Sequence, residues 1–278
     1  MIRSGRKPRV TENTSWCRSE FDASGKVVFI TGAGRGIGKG IAQVLAEAGA
    51  DIALNALTPK YVEGTAAQIA AASGRRVVPV IADVTKAEEV ARAVDSILAT
   101  FGRIDVLVNA LGDSIRKPLV ALPGEAGAAA ISDDDLRFIM DVNLTEALLC
   151  TRAVGPHMLA RRAGKVINIA SWTAHQGGRD MVLYTTAKTA LAGFTRAQAL
   201  EWAPYGVHVN AIAPGLFPDV VTSGEERVRQ LTQRAEQTVP LGRPGRLREV
   251  GLLALYLASN ASDYMTGQTI LLDGGLGL

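Results

Sequence analysis

The chain has 278 residues, 47% of them hydrophobic, and a formal charge of +3. That length fits one large domain or two small ones, and a charge so near zero, with Lys and Arg spread along the chain, argues against a nucleic-acid surface. No apolar run reaches the ~18–20 residues of a membrane span, and the basic tip Arg3, Arg6, Lys7 and Arg9 has no apolar stretch behind it, so neither membrane nor secretory signal is expected.

Residues 1–24 are expected to form a mobile N-terminal arm. From residue 25 onward, short β-branched runs alternate with Ala/Leu-rich helical stretches. The strand candidates are Val27–Thr31, Ile52–Leu54, Val77–Ile81, Val106–Val108, Val166–Ile169, Val207–Ile212 and Thr269–Leu272. Helical periodicity marks Ile37–Ala48, Glu88–Phe101, Leu136–Leu159, Tyr184–Trp202 and Leu247–Ser259. Strand–helix alternation requires crossovers and therefore a parallel sheet covered on both faces. Continuous apolar strands fit that burial. The expectation is a single α/β domain over 25–278, a doubly wound Rossmann sheet of seven strands. The Ala/Gly/Pro-rich stretch Leu122–Asp134 reads as a loop insertion. Residues 214–240 read as a long substrate loop with a helix near Glu225–Gln237.

The two cysteines, Cys17 and Cys150, form no disulfide framework, and the three histidines, His157, His175 and His208, lie far apart. No metal site is expected, and a reducing cytoplasm fits.

The first strand runs into Thr31-Gly32-Ala33-Gly34-Arg35-Gly36-Ile37-Gly38. Glycines let the backbone turn tightly and approach a ligand, and the helix that follows points free N–H groups at a phosphate. The strand-before, helix-after setting makes nucleotide binding the expected use of Gly32, Gly34, Arg35, Gly36, Ile37 and Gly38. Further along, Tyr184 and Lys188 are spaced to lie on one face of a helix. They follow Ser171, at the strand edge where open α/β sheets bind ligands. Moving a hydride on or off a carbonyl carbon needs a group that exchanges a proton with the oxygen near neutral pH. Bringing a phenol from about 10 to neutrality takes ~4 kcal/mol, and a neighbouring ammonium works in that direction.

The spacing of Gly32, Gly36 and Gly38 resembles the T-G-x-x-x-G-x-G loop of the short-chain dehydrogenase/reductase family, and the resemblance extends from about Lys26 to Leu278. Asp83-Val84 stands where that family contacts adenine, and Asn109-Ala110-Leu111-Gly112 resembles its N-N-A-G. Asn143, Ser171, Tyr184-x-x-x-Lys188 and Pro214-Gly215 follow in order. The resemblance implies an oxidoreductase of secondary alcohols or ketones using NADP or NAD. Tyr184 would be the general acid/base, Lys188 would also hold the nicotinamide ribose, Ser171 would hold the substrate oxygen and Asn143 would support a water relay. Asp83, Val84, Asn109, Gly112, Tyr184, Lys188, Pro214 and Gly215 join the glycine loop as cofactor contacts.

The acid that selects NAD at the end of the second strand is missing; Ala56 stands there. Arg35, with Thr58 or Lys60, is placed to meet a 2′-phosphate, which favours NADP. Leu111, where the family has alanine, is expected to narrow the cofactor path. Asp113, Ser114, Trp172, His175, Met181, Leu216 and Phe217 are pocket candidates, with Arg116 and Arg179 more simply read as solvated. An enoyl reductase or an inactive nucleotide-binding scaffold is the alternative function. A homotetramer or homodimer is implied by analogy.

Overall fold

The computed structural model describes residues 19–121 and 129–278. Seven parallel strands form one sheet in the order β3-β2-β1-β4-β5-β6-β7. They are β1 (Val27–Ile30), β2 (Asp51–Ala56), β3 (Val77–Ile81), β4 (Val106–Asn109), β5 (Gly164–Ile169), β6 (Val207–Pro214) and β7 (Thr269–Leu272). The helices are α1 (Gly36–Glu47), α2 (Pro59–Ser73), α3 (Ala87–Phe101), α4 (Asp133–Met140), α5 (Glu146–Arg161), α6 (Thr173–Gln176), α7 (Val182–Trp202), α8 (Val220–Ser223), α9 (Glu225–Thr238) and α10 (Leu247–Ala258).

Strand side chains alternate between two cores, as the period of two requires. Val28 and Ile30 join α1, α2 and α10 through Ile41, Leu45, Ile69 and Val250. Val27 and Phe29 face the other way, onto Val94 and Ile97 of α3, Cys150 and Val154 of α5 and Ala199 of α7. Close helix packing rests on missing side chains. A Cβ at Gly40 would lie 2.7 Å from Leu247, and one at Gly155 would lie 2.8 Å from the Trp202 ring. The chain order reverses between β1 and β4, and the carboxyl ends of those strands are where open sheets of this kind form their ligand crevice.

Several expectations change in detail. The sequence reading missed α2, where Pro59 starts the helix and Gly74 ends it in the left-handed conformation. The single helix expected over Leu136–Leu159 starts at Asp133, because Ser132 and Asp135 form a reciprocal capping box. That start shortens the insertion expected over 122–134, whose residues 122–128 lie outside the described part. Between α4 and α5 the helix widens into a π turn, Asp141–Thr145. There the Asn143 amide donates to the Ile139 carbonyl (2.9 Å), competing with the main-chain ladder. The substrate loop expected over 214–240 carries two helices, α8 and α9.

Of the arm expected over 1–24, residues 1–18, with the basic tip and Cys17, lie outside the described residues. Its last residues belong to the domain, since Ala23 is buried and its N–H bonds the Ala48 carbonyl.

Candidate active site

The glycine loop hangs between strand ends. The Thr31 N–H donates to the Val108 carbonyl and the Ala33 N–H to the Asn55 carbonyl. Gly32 and Gly36 have φ of +61° and +59°, in the left-handed region that strains other residues. A Cβ on Gly32 would stand 2.8 Å from the Leu111 Cα, and one on Gly38 would stand 2.9 Å from the Ala33 Cα. The loop is thus pressed against the β4 end. The N-terminus of α1 has no side-chain cap from Arg35 and no acid in its first turn, so its positive end faces the crevice. One donor there is taken from a distance: the Gly36 N–H donates to the carboxylate of Asp219, 3.2 Å away, in the loop after β6. A carboxylate in that position marks an anion site, and this architecture fits a dinucleotide phosphate.

At the β2 end, Ala56 leaves no carboxylate, and Thr58 and Lys60 are exposed. Two cations approach the Tyr61 ring, Arg35 at 5.2 Å and Lys60 at 5.1 Å from its centroid. Leu111 is partly buried against the core shared with α3 and α5. The Asn109 side chain also turns inward, donating to Asn168 (2.8 Å) and Thr151 (3.2 Å). Val84 is buried in the same core, and the Asp83 carboxylate is engaged by Thr85. Pro214 ends β6, and Gly215 lies against Asp273. Ile37 packs on the first core.

Asn143, Ser171, Tyr184 and Lys188 come together beyond β4 and β5. Asn143 is fully buried, and its amide donates to the carbonyls of Asp113 (2.8 Å) and Ile139. Its Oδ1 has no protein partner. Lys188 is 3% exposed, and its ammonium donates to the Ile169 carbonyl at 2.8 Å. The same ammonium lies 5.8 Å from the centre of the Tyr184 ring. A Cβ on Gly112 would stand 2.8 Å from Asn143 Oδ1 and 3.2 Å from Lys188 Nζ, so Gly112 is the gap through which both groups face the crevice.

The Ser171 Oγ accepts from the N–H (3.2 Å) and hydroxyl (3.0 Å) of Thr173. Both Ser171 acceptor positions are thus filled, which leaves its proton to donate to Tyr184. Burial pushes the Tyr184 phenol above its ordinary value, Ser171 pulls it down and Asp113 pushes it up again. Burial brings Lys188 down to about 8, against the pull of the Glu146 carboxyl. Glu146 is itself raised to about 8 by burial, with the Lys188 charge and the Thr31 hydroxyl opposing.

A family model described as enoyl-(acyl carrier protein) reductase matches residues 32–277. The 2-dehydro-3-deoxy-D-gluconate 5-dehydrogenase of Bacillus subtilis is 37% identical over 92% of this chain and 96% of that protein. The crystal structure of a gluconate 5-dehydrogenase from Burkholderia cenocepacia, in complex with NADP and tartrate, superposes with a TM-score of 0.84 at 34% identity. It covers 94% of this chain and 98% of that one. The chain belongs to the short-chain dehydrogenase/reductase family. A 3-oxoacyl-[acyl-carrier protein] reductase from Brucella melitensis with bound NAD superposes on this dehydrogenase/reductase chain with a TM-score of 0.81 at 30% identity, covering 100% and 98%.

Three residues of the site escaped the sequence reading. Thr173 orients Ser171, and an S-x-T spacing just past a strand end was the available signal. Asp219 was hidden in a loop, and loop sequence carries no periodicity. Glu146 was hidden in a helix, where a lone carboxylate ordinarily reads as a solvated face. Of the pocket candidates, Phe217 packs on the first core and its ring fills the space beside Gly245. Met181 is buried against Gly178, and Arg116 and Arg179 are exposed. The described residues hold no cluster of metal-ligating side chains and no helix long and apolar enough to cross a membrane.

Proposed function

We propose that this chain interconverts a secondary alcohol and its ketone with NADP, or less readily NAD, using Tyr184 as the general acid/base. The observation that carries the reading is the grouping of Asn143 and Lys188 at the gap left by Gly112, with the Tyr184 ring centre 5.8 Å from the Lys188 ammonium and Ser171 bonded to Tyr184. A nicotinamide bound on the glycine loop supplies or accepts the hydride. The residues of the chain manage the oxygen and its proton.

Ser171, held by Thr173, turns its one proton from Tyr184 to the substrate oxygen when substrate binds, which sets that oxygen beside the phenol. In reduction the phenol gives its proton to the oxygen as negative charge develops there; in oxidation the phenolate takes it. Lys188 favours the phenolate by its charge. Asn143, pinned by two carbonyls, keeps an acceptor beside Lys188 for a proton-relaying water. Gly32, Gly34, Arg35, Gly36, Ile37, Gly38, Asp83, Val84, Asn109, Gly112, Pro214 and Gly215 would hold the dinucleotide, Asn109 and Val84 through their backbone. The absent carboxylate at Ala56 and the cations Arg35 and Lys60 favour the 2′-phosphate of NADP. Enoyl reduction, the chemistry in the family model's description, is the weaker reading. Tyr184 and Lys188 are one turn apart on α7, and enoyl reductases of this fold tend to a longer spacing.

Replacing Tyr184 by Phe is expected to abolish turnover of every ketone in a broad panel while NADPH binding, followed by nucleotide fluorescence, stays nearly intact. Retention of more than about a tenth of the wild-type rate removes the proton-transfer role.

We also propose a cytoplasmic homotetramer or homodimer. Leu148, Leu200 and Leu252 are exposed on α5, α7 and α10, and a hollow of about 580 Å³ lies between α5 and α7 beside Trp202. Sedimentation as a stable monomer at micromolar concentration refutes the assembly.

A further inference from the structure

Helix α2 follows β2 closely: the strand ends at Ala56 and the helix begins at Pro59. Its first turns are built tightly against the glycine loop. Val62 is fully buried in the first core, and the Thr65 hydroxyl donates to the Gly34 carbonyl at 2.8 Å. A Cβ on Gly34 would stand 3.3 Å from the Tyr61 Cβ and 3.4 Å from the Val62 nitrogen. The missing side chain at Gly34 therefore lets loop and helix meet. Tyr61 is 36% exposed, yet these neighbours fix the place from which its ring projects.

Two charges gather on that ring. The Arg35 guanidinium comes from the glycine loop and lies 5.2 Å from the ring centroid, and the Lys60 ammonium comes from the first turn of α2 and lies 5.1 Å away. Both distances are within cation–π range. The two cations are thereby held within about one Debye length, ~10 Å, of each other, and each repels the other. Among the described residues neither forms an ion pair, and Lys60 makes none with Glu63, three residues on along α2. Two like charges on one ring, beside a strand end that carries no carboxylate, suit an incoming dianion. Long cationic side chains lose rotamer freedom when a ligand fixes them, and a ring that already holds them reduces that loss. A guanidinium stacks by its face and donates from its edge, so Arg35 can bond phosphate oxygens without leaving Tyr61.

We propose that Tyr61 is a positioning residue that sets cofactor specificity, its ring holding Arg35 and Lys60 where the 2′-phosphate of NADP arrives. The inference rests on the preference for NADP proposed above, and it makes that preference depend on an uncharged ring as well as on the cations.

The test uses the full chain and two ligands that differ only in the group concerned, adenosine 2′,5′-bisphosphate and adenosine 5′-monophosphate, with binding read by titration calorimetry. Tyr61→Leu keeps the Cβ that meets Gly34 and removes the ring. It is expected to weaken the bisphosphate by ~3–10-fold, the size of one or two exposed cation–π contacts. The monophosphate is expected to change by less than about twofold. The preference for NADPH over NADH in dissociation constant, followed by nucleotide fluorescence, is expected to fall by the same factor as the bisphosphate. Tyr61→Phe, which keeps the ring and loses the hydroxyl, is expected to match wild type. Tyr61→Ala carries the test if Tyr61→Leu does not fold. Equal weakening of both adenosine ligands overturns the proposal, and so does an unchanged preference in a folded variant without the ring. A loss in Tyr61→Phe as large as in Tyr61→Leu also overturns it, because the hydroxyl is then the contact. The underlying preference is read separately in wild type: equal binding of the two adenosine ligands there refutes the NADP reading itself.

Discussion

The space in front of Asn143 and Lys188 can be closed with a single methyl group. Gly112→Ala places a Cβ 2.8 Å from Asn143 Oδ1 and 3.2 Å from Lys188 Nζ. Side-chain carbons pack against such atoms at ~3.5–4 Å, so one of the two groups has to retreat by more than half an ångström. Asn143 cannot swing freely, because its amide is held by two carbonyls at 2.8 and 2.9 Å. Lys188 is tethered to the Ile169 carbonyl at 2.8 Å. Losing or stretching one of these buried bonds costs ~1–3 kcal/mol, which corresponds to a ~5–150-fold loss if it falls on the transition state. The expected result is a fall of ~10–100-fold in kcat/KM for ketone reduction. NADPH affinity, measured by fluorescence titration, is expected to change severalfold at most, and the melting temperature to fall by ~2–8 °C. Gly112→Ala with turnover within twofold of wild type refutes the placement of both groups at the reacting end of the crevice.

Arg35→Ala is expected to weaken NADPH far more than NADH, and an equal loss for both removes Arg35 from phosphate recognition. The buried carboxyl adds a pH dependence to stability. Folding raises Glu146 from 4.5 to about 8, so the folded chain binds more protons than the unfolded chain in that window, and Glu146 stabilises less as pH rises through it. Lys188, lowered from 10.5 to about 8, acts above that window, where the unfolded chain binds more protons and stability rises with pH. The difference in melting temperature between wild type and Glu146→Gln is therefore expected to tilt against wild type as pH goes from 5 to 8. A constant difference shows that Glu146 keeps its ordinary ionisation.

What was legible in the sequence and what was not follows from where each signal resides. The seven strands announce themselves because buried parallel strands are apolar throughout. Tyr184 and Lys188 were legible because a helix converts a four-residue spacing into a shared face. Helix α2 was missed because its stripe, Val62, Ala66 and Ile69, is thin and alanine-diluted. The π turn at Asn143 depends on a side chain competing for the Ile139 carbonyl, and periodicity does not record that competition. Glu146 was recoverable in principle. Asn143, Glu146 and Cys150 fall on one helical face, and a carboxylate sharing a face with a buried cysteine and an asparagine of the site is not a solvated one.

The Asp219 contact changes what cofactor affinity means in this chain. The Gly36 N–H, a natural phosphate donor, is bonded to a carboxylate of the protein itself, and that carboxylate also caps α8 through the N–H and hydroxyl of Thr222. A dinucleotide arriving there exchanges one anion for another. Its dissociation constant reports the difference between two occupants of one donor, and the protein's own occupant is the N-cap of α8. Whatever unseats Asp219 also uncaps α8, so the glycine loop and the start of that helix depend on one carboxylate.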